Sequence, residues 1–242
     1  MLGVQMSLAA GAVIEPKYSM SFDGTGDFLS FTNTTFAIDG SGDDLSVAFW
    51  AKRTDNNDEA VIFGLSSTGS YSRLNFDSDG DALNMESDKN GEMLTGAVTA
   101  DTSWHHYVIT AQGGGAVSTV QVYEDGAAVT SSAGNFGNSS GSDLTVNRIG
   151  DDNAAGNQAF KGNLFQVAIW TEVLNSDNVA AIYNSGSPLE DLTLAFGDYN
   201  NHGNIVHLWN FAEGGGSTTA DSAGSLTATL NGNAAFSTDI PG

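Results

Sequence analysis

The chain has 242 residues, 29 Asp and Glu against seven Lys and Arg, and a net charge of −22. Such a field repels phosphate, which argues against nucleic acid and anionic membrane surfaces as direct partners. Cysteine is absent, excluding disulfides and thiolate chemistry, and no apolar run reaches the roughly 18 residues of a membrane span.

The first element is an apolar arm, residues 1–17. Residues 1–14 carry no charge, and Leu2, Val4, Met6, Leu8, Val13 and Ile14 make the stretch apolar. A secretory leader places Lys or Arg ahead of its apolar part; here the first cation, Lys17, stands behind it. The Ala10-Gly11-Ala12 triplet imitates a cleavage site, so a leader remains the alternative. The arm is read as packing on this domain or on a neighbouring subunit, and residues 18–242 as one domain.

From Tyr18 onward, short alternating runs are separated by Gly, Asn, Asp and Ser clusters. Strands are predicted at 18–22, 28–31, 45–51, 61–65, 72–76, 82–86, 104–111, 117–123, 144–149, 164–170 and 205–211. In 45–51 the alternation puts Leu45, Val47 and Phe49 on one face. Asp77-Ser78-Asp79-Gly80 reads as a tight hairpin. One helix is predicted: Asn175-Ser176-Asp177 caps it, Leu174, Val179, Ile182 and Tyr183 form its stripe, and Gly186 and Pro188 stop it. Many short strands with one helix predict an all-β, two-sheet antiparallel jelly-roll sandwich.

Several ordered motifs carry a family resemblance. They are Tyr18-Ser-Met-Ser-Phe-Asp-Gly-Thr-Gly-Asp-Phe28, Leu45-Ser-Val-Ala-Phe-Trp-Ala51, Ser103-Trp-His-His-Tyr-Val-Ile109, Val122-Tyr-Glu-Asp-Gly126, and a closing block from Phe160-Lys-Gly162 to Ile182-Tyr183-Asn184. Together they resemble the laminin-G-like, pentraxin-like branch of the concanavalin A-like lectin/glucanase jelly rolls, over about residues 18–186. The tail resembles an extension commonest in structural proteins of tailed bacteriophages, through Tyr183 to Pro188, His207-Leu-Trp-Asn-Phe211, Asp221 and the stretch to Pro241.

The resemblance implies a glucanase acid pair or a lectin site. The glucanase E-x-D-x-x-E strand is missing, and no two glutamates stand two or four residues apart. No Gly-x-Ser-x-Gly elbow lies between a strand and a helix either. The pentraxin-like relatives imply Ca²⁺, and for it the chain offers Asp151, Asp152, Asn153 and Gln158, with Gln158 four residues before Gly162. The relatives' other Asp/Asn pair is replaced near Ser70 and Tyr71, and their later acidic pair by Phe165 and Gln166, leaving half a site. A solvated loop is the alternative. Asp77, Asp79 and Asp81 begin like an EF-hand loop, but Ala82 and Asp88 hold its Gly and Glu positions. His105 and His106, adjacent on a strand, face opposite ways and hold no common metal. Tyr71 and Tyr199, with Phe136, are candidates for a sugar platform; Trp50, Trp104, Trp170 and Trp209 are assigned to the core.

The expectation is a non-enzymatic virion structural protein, a capsid decoration or a tail or fibre component. Its arm would bind other virion proteins or copies of itself. The alternative is a calcium-assisted carbohydrate-binding module, secreted or on a virion, whose partners are host-surface glycans.

Overall fold

In a computed structural model, the described residues are 17–36, 44–54, 60–64, 72–77, 79–87, 91–112, 121–133, 144–152 and 158–242. The arm residues 1–16 lie outside them, as do Tyr71, Asn153 and Phe136. In chain order the elements are β1 (Ser19–Asp23), β2 (Phe28–Phe36), β3 (Leu45–Arg53), β4 (Ala60–Gly64), β5 (Ser72–Phe76), β6 (Ala82–Ser87), β7 (Gly91–Ala97), β8 (Trp104–Ala111), β9 (Gln121–Glu124), β10 (Ala127–Ala128), β11 (Ser131–Ala133), β12 (Leu144–Ile149) and β13 (Lys161–Trp170). There follow α1 (Ser176–Tyr183), β14 (Ile205–Trp209), β15 (Thr218–Thr219), β16 (Ala228–Asn231) and β17 (Ala235–Ser237).

Two antiparallel sheets result. The first runs β10-β9-β8-β3-β13-β1-β17, with β14 also on β13; the second runs β11-β7-β6-β5-β4-β12-β2-β16-β15. Alternation sorts the side chains of the first sheet to two cores. Leu45, Val47, Phe49, Tyr107, Ile109, Val167 and Ile169 enter the layer between the sheets, with Phe76, Leu83 and Ile149 from the second sheet. Their neighbours Ala48, Val108, Ala168 and Trp170 point outward, where Val179 and Ile182 of α1 and Leu189, Leu192 and Tyr199 cover them. A strand buried on both faces carries apolar residues at every position, which explains the nearly continuous run of β3.

Strand β13 organises the first sheet. Phe165 lies opposite Trp50 and Ala168 opposite Ala48, so two residues face Phe49 alone. This is a β-bulge, and Gln166 takes it up at φ 47°. The bulge divides the other edge of β13 as well: β1 pairs at Leu164, while β14 takes over at Val167. Gly162 allows the approach of β3, since a Cβ there would lie 2.1 Å from the Lys52 carbonyl oxygen.

Helix α1 begins at Ser176, with Asn175 as its cap and Leu174 buried ahead of it. The Asn175 side chain accepts from the amides of Asp177 at 3.0 Å and Asn178 at 2.9 Å, and the Asn178 side chain accepts in return from the Asn175 amide at 3.1 Å. The helix ends at Asn184 in left-handed geometry, before the expected Gly186. Strands β7, β10, β11 and β15 to β17 were not expected from the periodicity: each is short or lacks an alternating pattern. Trp104 corrects the core assignment, being partly exposed with its Nε1 donating to Asp239 Oδ1 at 2.9 Å.

Candidate functional site

Four of the expected site residues have described positions. Asp151 and Asp152 follow β12, and Gln158 leads toward β13. The cation that they meet belongs to the chain. Arg73 on β5 sends Nη1 to Gln158 Oε1 at 2.5 Å and to Asp152 Oδ2 at 3.2 Å. Its Nε and Nη2 reach Glu86 Oε2 at 3.1 and 2.8 Å, across the β5–β6 pair. Arg148 lies 3.4 Å from Asp151 Oδ2 through Nη1. The Asp152 side chain is fully buried. It is seated there because Gly64 has no side chain: a Cβ at Gly64 would come within 2.5 Å of Asp152 Cβ. Among the described residues no group of three or more His, Asp or Glu is arranged to hold a metal ion.

Tyr199 is corrected from a surface platform to a core post. It is fully buried, its hydroxyl donates to the Leu192 carbonyl at 2.6 Å, and it accepts from Trp170 Nε1 at 2.9 Å. A phenol with both bonding roles filled inside the outer core offers no face to a sugar.

What Tyr199 does is brace a cleft. A concavity of about 430 Å³ opens between the end of α1 and the segment after it, lined among others by Asn184, Leu189, Glu190, Asp191, Leu194 and Phe196. The Tyr199 ring and the paired backbones of Phe196 and Tyr199 (N–H to O, 3.0 and 2.8 Å) hold the segment. Gln166 Nε2, at the β13 bulge, donates to the Leu189 carbonyl. Asp191 Oδ1 fixes the turn by accepting from the Thr193 amide at 2.8 Å and its hydroxyl at 2.6 Å. On this fixed frame Leu194 is 61% exposed and Phe196 46%, the exposed large hydrophobics among the described residues. An apolar platform thus stands beside two carboxylates and an amide, the combination that packs against C–H faces while accepting from hydroxyls. The sequence pattern did not point here: Leu192, Leu194 and Phe196 recur at every second position, yet Leu192 is buried in the outer core while the other two are exposed.

Asp23 and Asp27 order the first hairpin. Asp27, fully buried, accepts from the amides of Asp23 and Asn233, tying the hairpin to the tail. Asp77 holds its own turn, accepting from the amides of Asp81 and Ala82. No helix among the described residues is long and apolar enough to cross a membrane.

Two twisted antiparallel sheets in this strand order, with a helix on one outer face, define a lectin-type jelly roll. The chain belongs to the Concanavalin A-like lectin/glucanases superfamily, whose model matches residues 23–180. Among solved structures it is similar to a proposed carbohydrate-binding protein from Bacteroides ovatus, at 15% identity and a TM-score of 0.62, covering 94% of this chain and 61% of that one. It is also similar to a heptameric SAP-like pentraxin from Limulus polyphemus, at 15% identity and a TM-score of 0.55, covering 94% of this chain and 96% of that one. The chain thus spans less than two thirds of the length of the Bacteroides protein. No curated protein matches the sequence.

Proposed function

We propose that the chain is a non-catalytic glycan-recognising domain whose binding site is the cleft at Asn184, Glu190, Asp191, Leu194 and Phe196. One observation carries this reading: a half-exposed aromatic ring and a carboxylate pair share the rim of a cleft braced by the outer core. The ring takes the apolar face of a pyranose, and Glu190 and Asp191 accept from its hydroxyls. Their charge, within a chain of net charge −22, selects neutral over anionic sugars. The shared fold with the Bacteroides protein supports a carbohydrate ligand.

The test is a glycan array followed by titration of the best neutral oligosaccharide. Phe196→Ala is expected to weaken binding at least tenfold while leaving the thermal midpoint near that of the parent, because the ring is a rim residue. A blank array, or affinity unchanged in Phe196→Ala, overturns the reading.

A second reading concerns where the domain resides. It is a surface component of a virion, held through the arm by other virion proteins or by copies of itself. The tail supports this reading. It resembles the phage structural extension, and it supplies β14 and β17 to one sheet and β15 and β16 to the other. Proteomics of purified particles tests it, and so does light scattering of the full chain against one beginning at Lys17. Particles without this chain sink the virion reading; equal monomers remove self-association from the arm.

A further inference from the structure

Of the residues expected to hold calcium, the three described ones, Asp151, Asp152 and Gln158, do not fit that ion. A Ca²⁺ coordinated by Asp152 and Gln158 would sit about 2.3–2.6 Å from their oxygens. Arg73 Nη1 already stands 3.2 Å from Asp152 Oδ2 and 2.5 Å from Gln158 Oε1, so the metal would be pressed against a fixed positive charge. Nor does the guanidinium have an easy way out. Its opposite edge is gripped by Glu86, its side chain is only 11% exposed, and its strand is paired on both sides by β4 and β6. Asp151, the other carboxylate of the half-site, lies beside Arg148.

We infer that Arg73 is a built-in cation: its guanidinium neutralises Asp152 and joins it to Gln158, as a divalent metal would, and makes this cluster independent of calcium. The planar fork suits the task. One edge meets Glu86 on the neighbouring strand, while Nη1 faces Asp152 and Gln158 from the two ends of the loop. One side chain thereby ties β5, β6, the end of β12 and the start of β13. The cluster lies with the second sheet, whereas the cleft lies on the outer face of the first, so this inference stands or falls separately from the glycan reading.

The experiment uses the full chain, with calcium ion as the probe. Calorimetric titration with millimolar calcium is expected to give no binding heat, and the thermal midpoint to be the same in calcium and in EDTA. Arg73→Gln removes the charge while keeping a polar side chain of similar reach. Its midpoint is expected to fall by several degrees and to recover in part with millimolar calcium, as Asp152, Glu86 and Gln158 turn to the metal. Arg73→Lys keeps the charge and is expected to stay insensitive to calcium, which decides the matter should the Gln variant fail to fold. A binding heat with an EDTA-sensitive midpoint in the parent chain overturns the inference. So does an Arg73→Gln chain with the parent midpoint and no calcium response, or an Arg73→Lys chain that calcium stabilises.

Discussion

His105 and His106 are neighbours with opposite fates. The His105 ring lies between Asp125 Oδ2 at 2.7 Å and Asp101 Oδ1 at 3.1 Å, with Glu124 Oε1 at 3.7 Å. The hydrogen bond to Asp125 and the surrounding carboxylates raise its pKa from 6.5 to about 9 against the cost of burial. His106 points to the other side of the sheet, its ring 4.9 Å from that of Trp50 and 6.1 Å from that of Tyr183. Burial there lowers its pKa to about 3. The linkage signs are opposite. The stability that His105 contributes is full below pH 6.5 and disappears as pH rises through about 9. His106 is neutral in the fold and protonates when unfolded, so its cost grows as pH falls from 6.5 toward 3. The urea midpoint is therefore expected to decline on the alkaline side between pH 6.5 and 9, and His105→Gln to flatten that limb. A limb equally steep in the variant would remove His105 as its cause. Opposite faces for the two rings follow from strand geometry alone. Which ring becomes the cation does not, because Asp101 comes from the turn before β8 and Asp125 from the turn between β9 and β10.

Among the elements, α1 was the most legible, since its cap, stripe and stop are local chemistry. Replacing Asn175 by Ala removes the acceptor for two backbone amides and half of the reciprocal cap. The expected cost is about 1 kcal/mol of unfolding free energy, read from chemical denaturation; a loss within error of zero would mean that packing of Val179 and Ile182 alone holds the helix. The bulge in β13 was not legible. Gln166 lies within a continuous apolar run, and only the partners on both edges of the strand show why the chain adopts φ 47° there. The small strands of the tail were missed for a similar reason. Strands of two to four residues form only against a partner's edge: β17 pairs with β1, β16 with β2, and β15 in turn with β16.

For the whole molecule, the sandwich is closed by residues beyond those that the family model matches. Trp209, Phe211 and Ala228 are fully buried between the sheets, and Leu208 in the outer core. Each large side chain of that kind contributes roughly 1.5–3 kcal/mol, and a domain's net stability is only about 5–15 kcal/mol. A chain ending at Gly186 is therefore expected to lose its cooperative thermal transition in circular dichroism. A sharp transition from that shortened chain would show the tail to be an appendage. Charge works at the same scale. All three arginines are turned to internal tasks: Arg53 donates to the carbonyls of Gly80 at 2.7 Å and Thr99 at 2.8 Å, while Arg73 and Arg148 meet the loop acids.

Fold class, the positions of the longer strands and the lack of the glucanase E-x-D-x-x-E motif were determined by the sequence alone, because alternation, turn residues and motif spacing are properties of nearby residues. Only the tertiary structure decided the sites. Arg73 and Asp152 are 79 positions apart, and no spacing rule announces that a guanidinium will stand where a metal was expected. Tyr199 lies in a turn-rich stretch that reads as surface, yet its burial depends on Trp170 and the outer face of β13. The same folding leaves Leu194 and Phe196 outside. Whether an apolar side chain ends in the core or on a rim is set by the element that covers it, and that element comes from elsewhere in the chain.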